Sequence, residues 1–416
     1  MREFGCKSSR NQLVILALVF LPSLGFAQSW SPDIAFSGFG TLGYAVLDHP
    51  NAEYRTGRAI DGADNTGSFE VDTRLGLQTD IVFTTDISST FQIIAREAED
   101  GDAAVGLEWG FVRWLATDNI AIRAGRMSLP VYAQSDVREV GFSIPYLRPA
   151  EDLYSMIPLR RFNGADVTLE HDRGNSLFRW QLLAGQSREE LFDDLTADVD
   201  LAIGISLMVE NGPARIRFSH LNTEMDIDSD NSNVAAIRAG IAQTQQQLPA
   251  LTPMLDSLAT DFAGKRVALT FNAISLNLEF ARLFIDAEYT SRRVDNWVSD
   301  VDGLSLAVGT RFGAFQPYVY GSLLTEPEGD RRINLPDSPA LDPLEAGINQ
   351  FYAPRDQITF GVGARYDISP NFALKVQVDR IQREEIGISF NRNSVDDGSD
   401  DGMPVTLLSV VVDFVF

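Results

Sequence analysis

Three histidines, His49, His171 and His220, are all the imidazole this 416-residue chain carries. None has a second histidine at the spacing a zinc site needs, and no G-x-S-x-G elbow presents a serine nucleophile. Ser219 stands beside His220, but neighbours in a strand point to opposite faces and form no dyad. The chain is therefore not expected to be an enzyme or to hold a cofactor. Two acidic runs suit a cation better. D-I-D-S-D-N-S-N places Asp226, Asp228 and Asp230 at the first three ligand positions of a calcium loop. Glycine is missing at the sixth position, however, and Ile237 stands at the twelfth in place of glutamate. D-D-G-S-D-D-G at 396–402 is the second run, and diffuse attraction of cations is the expectation for both. The densest mixture of both signs lies in residues 128–163, with Asp136, Glu139, Glu151, Asp152, several arginines, four prolines and the aromatics Tyr132, Tyr146 and Tyr154. A flexible surface loop would be richer in glycine and serine; this composition predicts a loop packed against something. Opposite charges facing each other across a narrow aqueous gap make a transverse field, strongest where low-dielectric walls focus it. Polar solutes orient in such a field, whereas apolar ones must strip aligned water.

The elements that must position these residues are strands. In the last stretch, P-V-T-L-L-S-V-V-V-D-F-V-F, one alternate set is Thr406, Leu408, Val410, Val412, Phe414 and Phe416. The other holds Leu407, Ser409, Val411, Asp413 and Val415. An apolar face ending in aromatics, opposite a face with the only acid and the serine, is what a lipid-embedded barrel strand requires. Ile34–Val46 and Phe69–Phe83 alternate in the same way. Short polar breaks at 84–86, 117–119, 173–175, 211–213, 272–277, 313–314 and 367–371 alternate with long ones at 48–67, 99–104, 128–163, 188–198, 224–265, 292–302, 326–355 and 387–403. That rhythm predicts an all-β transmembrane antiparallel barrel of about 16 strands, with short periplasmic turns and long extracellular loops. Within 224–265, Val234, Ile237, Ile241, Leu248, Leu251, Leu255, Leu258 and Phe262 recur at helical spacing, so one or two short amphipathic helices are expected in that loop. Residues 1–27 read as a cleaved signal peptide: Arg2, Lys7 and Arg10, then the apolar run Leu13–Leu21, then Gly25-Phe26-Ala27. Residues 28–416 form the single barrel domain. The only cysteine, Cys6, falls in the signal, leaving no disulfide to close the fold. Mean hydropathy is near neutral at −0.06, as expected when lipid-facing and lumen-facing residues alternate. The net charge of −24 argues against nucleic acid, whose phosphates need a basic face.

S-G-F-G-T-L-G-Y at Ser37–Tyr44, R-L-G-L-Q at Arg74–Gln78, I-R-A-G-R at Ile122–Arg126, N-G-A-D-V at Asn163–Val167 and the terminal Phe416 resemble the Gram-negative outer-membrane porins. The resemblance covers the layout of the whole mature chain and is to a porin-like proteobacterial branch, since the P-E-F-G-G loop motif of enteric porins is absent. It implies a homotrimer in the cell outer membrane, in contact with lipid and lipopolysaccharide, passing small hydrophilic solutes by diffusion. It also implies a third loop, 128–163, folded into the lumen, with its acids facing arginines on the wall. Carried over residue by residue, Asp136, Glu139, Glu151 and Asp152 are the candidate acids. Arg74 and Arg96 are the wall arginines, lumen-facing by parity. Arg123, favoured by parity, or Arg126, favoured by its place beside the loop, is the third. The acidic mouth predicts mild cation preference. Two other functions fit the same architecture: a substrate-specific channel using the lumen arginines with Tyr132, Tyr146 and Tyr154, and a surface receptor or adhesin acting through its long loops.

Overall fold

The computed structural model describes residues 32–416 apart from 51, 57–61, 98–102, 158, 192–194, 230–231, 296, 328–331, 340, 353–354, 384–389 and 391–402. The expected signal peptide, Asp230 and the 396–402 run therefore lie outside the described residues. The chain forms sixteen strands: β1 (Asp33–Leu47), β2 (Arg74–Val82), β3 (Ile87–Glu97), β4 (Ala103–Thr117), β5 (Ile120–Ser128), β6 (Arg161–Arg173), β7 (Ser176–Leu191), β8 (Leu195–Asn211), β9 (Ala214–Ser229), β10 (Val267–Glu279), β11 (Leu283–Val294), β12 (Val301–Thr310), β13 (Phe315–Thr325), β14 (Gln357–Ser369), β15 (Phe372–Arg383) and β16 (Val405–Val415). Each pairs antiparallel with its sequence neighbours, and β16 pairs with β1 to close a barrel. Closure leaves no unpaired edge, which a sheet in hydrocarbon could not tolerate.

The period-two pattern sorts side chains by solvent. On β14, Ile358, Phe360, Val362, Tyr366 and Ile368 point outward and are exposed, while Gln357, Thr359 and Arg365 point inward and are buried. On β16, Leu407, Ser409, Val411 and Asp413 are buried and Leu408 is exposed, as is Phe416 just beyond the strand. Apolar outside and polar inside inverts the arrangement of a water-soluble domain and suits a belt in lipid. At the closing seam, Gly38 and Phe416 exchange backbone bonds of 2.9 Å in both directions. The Phe416 ring lies against Gly38 and the Phe414 ring against Gly40, leaving no room for a Cβ at either glycine. Phe372, Phe414 and Phe416 stack at centroid spacings of 5.8 and 6.3 Å. Gly174 and Gly212 open two of the short turns at φ of +64° and +54°, where an L side chain would be strained.

Three sequence expectations need correction. Residues 272–277 are not a turn; they lie inside β10, and the turn falls at 280–282. The asparagines that suggested it are satisfied across strands: Asn272 Oδ1 meets His220 Nδ1 at 2.8 Å, and Asn277 donates to Asp286 at 2.7 Å. Residues 188–198 are mostly strand, because the charges that looked like a loop pair across the hairpin, Arg188 with Asp198 at 2.8 Å. Phe69–Thr73 are not part of β2, which begins at Arg74. Phe69 instead packs on Tyr44 at 4.9 Å, and Thr73 hydrogen-bonds the Gly43 backbone.

The loop after β9 carries two helices, α2 (Ser232–Gln247) and α3 (Thr252–Asp261), after a four-residue turn of helix, α1 (Glu151–Tyr154), in the earlier loop. Val234, Ile237, Ile241, Leu255, Leu258 and Phe262 are buried, whereas Leu248 is exposed. Their partners come from α4 (Asp342–Phe351) and the loop residue Trp297: Phe262, Trp297 and Phe351 lie within 6.2 Å of one another ring to ring. These helices make an apolar lid at the long-loop end.

Candidate permeation site

Residues 129–157 and 159–160, between β5 and β6, fold into the barrel. Two kinds of contact hold them there. The apolar set, including Leu129, Val131, Ile144, Leu153, Met156 and Ile157, joins one core with wall residues such as Leu221, Phe271, Val301 and Tyr320. Tyr132 stacks on Tyr154 at 4.3 Å and meets Phe271 edge-on at 5.0 Å, and Tyr146 sits 6.4 and 6.1 Å from Tyr318 and Tyr320. All three loop tyrosines are buried, so they do not form an open aromatic binding surface in the lumen. Their role is to fix the loop to the wall. Burial pushes their phenol pKa values upward and keeps them neutral.

The second kind is polar. The loop's backbone carbonyls and amides are met by inward side chains around the barrel. Lys375 Nζ donates to the Gly141 carbonyl at 2.7 Å. Arg365 donates to the Phe142 and Ile144 carbonyls at 2.7 and 3.1 Å. Glu288 accepts from the Ala133 amide at 2.7 Å, and Arg217 donates to the Tyr132 carbonyl at 2.9 Å. Arg148 donates to both Asp72 oxygens at 3.0 and 2.6 Å and to Ser409 at 2.7 Å. Gly141 marks the tightest approach: a Cβ there would collide with Asp413 and Thr41. Lys375 and Asp413, both essentially without solvent exposure, form a 2.8 Å ion pair beneath it, and Thr41 donates to Asp413 at 2.5 Å.

The sequence-predicted charges separate into groups. Glu139 meets Arg96 at 2.8 Å and Arg74 at 3.8 Å, and Arg74 Nε also donates to the Glu139 carbonyl at 2.8 Å. Burial alone would push the Glu139 carboxyl upward, but the charges of Arg96, Arg74, Arg160 and Arg138 outweigh it and hold the pKa well below the usual carboxylate range. Asp136 faces Arg217 at 3.5 Å and is exposed. Glu151 lies 3.9 Å from Arg138. Asp152 is not a lumen charge: it is buried and accepts hydrogen bonds from Ser322, Gln357 and Thr359 on β13 and β14. Arg123 pairs with Asp166 at 2.6 Å on the wall, with Gln181 donating to the same acid at 2.9 Å. Arg126 bonds Asn163 at 3.0 Å and the Leu107 carbonyl at 3.3 Å. Neither therefore joins Glu139 as the third arginine.

Several members of the site escaped the sequence reading. Glu108 extends the network, bridging Arg96 at 3.2 Å and Arg161 at 3.4 Å, and Arg161 goes on to Glu189 at 3.0 Å. The register slips between Gln92 and Ile93 where β3 meets β4. That bulge hides the inward parity of Glu108. Arg138, Arg148 and Arg160 lie in the loop itself, where no parity exists to read. Two small voids flank the Glu139 pair, of about 70 and 20 Å³, and Arg138, Glu139 and Arg160 line both. The arrangement sets fixed charges of both signs between the loop and the wall.

Of the calcium candidates, Asp226 and Asp228 are otherwise engaged. Lys265 Nζ lies 3.1 Å from Asp226 and 2.8 Å from Asp228, where a cation would sit. No cluster of three metal-ligating side chains occurs among the described residues.

No family model matches the sequence, and no curated protein matches it. Solved structures do. OmpF of Salmonella typhi in complex with daunomycin is 13% identical, with 92% of this chain and 98% of that one covered at a TM-score of 0.52. The outer membrane channel DcaP of Acinetobacter baumannii is 10% identical, with 94% and 99% covered at 0.52. In-vitro folded OmpT of Vibrio cholerae, in its trimer form, is 7% identical, with 93% and 100% covered at 0.51. Identities this low establish a shared fold: the chain has the closed sixteen-stranded barrel of the outer-membrane porins.

Proposed function

We propose that this chain is a porin of the Gram-negative outer membrane, a water-filled, non-enzymatic channel through which small hydrophilic solutes diffuse down their gradients. The observation that carries the reading is the pairing of an apolar outer belt with an inward loop whose Glu139 faces Arg96 and Arg74 from the wall. A belt of that kind has a use only in lipid, where it would meet acyl chains and lipopolysaccharide. A charged constriction of that kind has a use only where solutes pass. The trimer form of the similar Vibrio cholerae protein supports a homotrimer. The acid excess of the chain, 58 Asp and Glu against 34 Lys and Arg, favours mild cation preference through the potential it sets at the mouths.

Planar-bilayer recording tests this. Purified, folded protein should insert with stepwise current, and a KCl gradient should give a reversal potential of cationic sign. A protein that inserts without any open-channel current overturns the reading. Current with an anionic reversal potential keeps the channel and removes the cation preference.

A further inference from the structure

Among the described residues Arg292 forms no ion pair, although it points inward from β11 and is only 6% exposed. Its hydrogen bonds go to two carbonyls: Met156 of the inward loop at 2.5 Å and Ser299 of the loop between β11 and β12 at 2.6 Å. Its Nε has no partner among the described residues. By contrast, Arg96, Arg148 and Arg161 are each bound to carboxylate oxygens at 2.6–3.2 Å. A buried cation without a counter-charge is costly, and a carboxylate satisfies the planar fork with two parallel bonds. One such acid is at hand. Glu326, just past β13, is buried, its Oε1 has no partner among the described residues, and its charge reaches Arg292. Asp300, also within reach, is committed to the Val294 amide at 2.8 Å and to Arg293 at 3.6 Å.

The two carbonyls belong to different parts of the molecule. Met156 lies in the limb of the inward loop that returns to β6. Ser299 lies two residues from Trp297, which is buried in the lid against Phe262 and Phe351 at 6.2 and 5.5 Å. Trp297 has a φ of +76°, a conformation that a bulky side chain rarely adopts. Strain of that kind persists only where the surrounding packing holds it. Turning Arg292 toward Glu326 strips both carbonyls of their donor, and a buried carbonyl without a donor is costly until water reaches it. Both segments must then leave the core together, and Trp297 is free to relax. We propose that Arg292 is a latch holding the inward loop and the helical lid to β11 at once, and that its transfer to Glu326 lifts the two together. The latch rests on this geometry. Its use, opening the extracellular mouth to solutes, rests on the channel reading above.

Thiol labelling of the folded protein in phospholipid vesicles tests this. The one cysteine, Cys6, falls in the expected signal peptide, and Thr244 is buried on the inner face of α2. In T244C, a charged, membrane-impermeant methanethiosulfonate reagent should react at a rate set by how often the lid lifts. R292Q should raise that rate about tenfold, the loss expected for bonds from a charged donor. E326Q should lower it, because the lifted state loses its anchor and the latched state loses an orphan oxygen. In the R292Q background E326Q should change nothing. An arginine that served only to hold the fold together would not give these opposite signs. E326Q labelling that is unchanged or faster overturns the latch, and so does an E326Q effect that is the same with and without Arg292. Arg355 is the rival partner, since its charge also reaches Glu326; labelling raised alike in R355Q and E326Q assigns the acid to Arg355 and overturns the proposal. R292K keeps the charge without the fork and should fall between; it also serves if R292Q does not fold. No labelling of T244C in any variant overturns the lifting itself. Absence of any current in bilayers overturns the channel reading instead and leaves the labelling to decide the latch.

Discussion

Glu139 is held by arginines from two neighbouring strands, and that arrangement determines how the constriction responds to acid. Its pKa is depressed in the folded protein by Arg96 and Arg74. A depressed carboxylate contributes stability that is fully present above its unfolded value, ordinarily 4.5, and is lost only as pH falls through the lower folded value. The charge of Glu139 should therefore persist well into acid. E139Q removes it, leaving Arg74 unbalanced and Arg96 to Glu108 alone, so the permeability ratio should move toward anions, by about twofold or more where fields are focused. That difference between E139Q and the unsubstituted protein should stay constant from pH 7 down past 4.5; a difference that collapses above 4.5 shows that the two arginines do not control Glu139. At this scale the sequence was legible only in part. Arg74 and Arg96 could be found because they sit on strands whose parity is regular. Asp152 misled because an acid in a loop looks solvated, and its actual partners, Ser322, Gln357 and Thr359, lie at least 170 residues away. No local pattern announces which face of a loop turns to a wall built that much later in the chain.

The inward loop is an element kept in place from outside itself, and the Lys375–Asp413 pair is its deepest fixture. Both side chains are buried, Thr41 completes the acid, and Lys375 reaches the loop at the Gly141 carbonyl. Breaking one half of a buried pair leaves an uncompensated charge and costs about 3–5 kcal/mol, while replacing both halves by apolar groups costs far less. K375M should therefore lower stability by that amount in urea unfolding and free the loop tip, seen as noisier open-channel current. The double variant K375M/D413L should recover most of the stability without quieting the current, because the lysine bond to Gly141 is still missing. Equal stability for K375M and the double variant rules out a buried ion pair as the fixture. Asp413 was visible in the sequence as the only acid on the inner face of the last strand. Its partner was not, since Lys375 belongs to another strand and their meeting depends on register. The same limit explains the turn misplaced at 272–277. Strand periodicity gives the number of ribbons and which face is which, but asparagines that bond across strands look the same in one dimension as asparagines that bend the chain.

For the whole molecule, the decisive quantity is the medium outside the barrel. Leu306 lies outward on β12 and is 47% exposed, between Ala287 and Gly321 on the adjoining strands. In a water-soluble barrel, exchanging such a leucine for arginine would remove an exposed apolar group and change stability by no more than about 0.5 kcal/mol. In a bilayer the same exchange places a guanidinium among acyl chains and costs about 2–4 kcal/mol near the midplane. Gln78 on β2 provides the internal reference. It points inward, accepts from Gln92 at 2.9 Å and donates to Asp80 at 2.8 Å, so an arginine there meets water and an acid. L306R and Q78R, unfolded by urea from phospholipid vesicles, should therefore differ sharply, with L306R destabilised by about 2–4 kcal/mol and Q78R nearly unchanged. Moving the measurement into detergent micelles, whose apolar layer is thinner and more yielding, should shrink the L306R penalty and leave Q78R where it was. If the two variants cost the same, the outward faces of these strands do not meet hydrocarbon, and a channel built on that division of solvents has no basis.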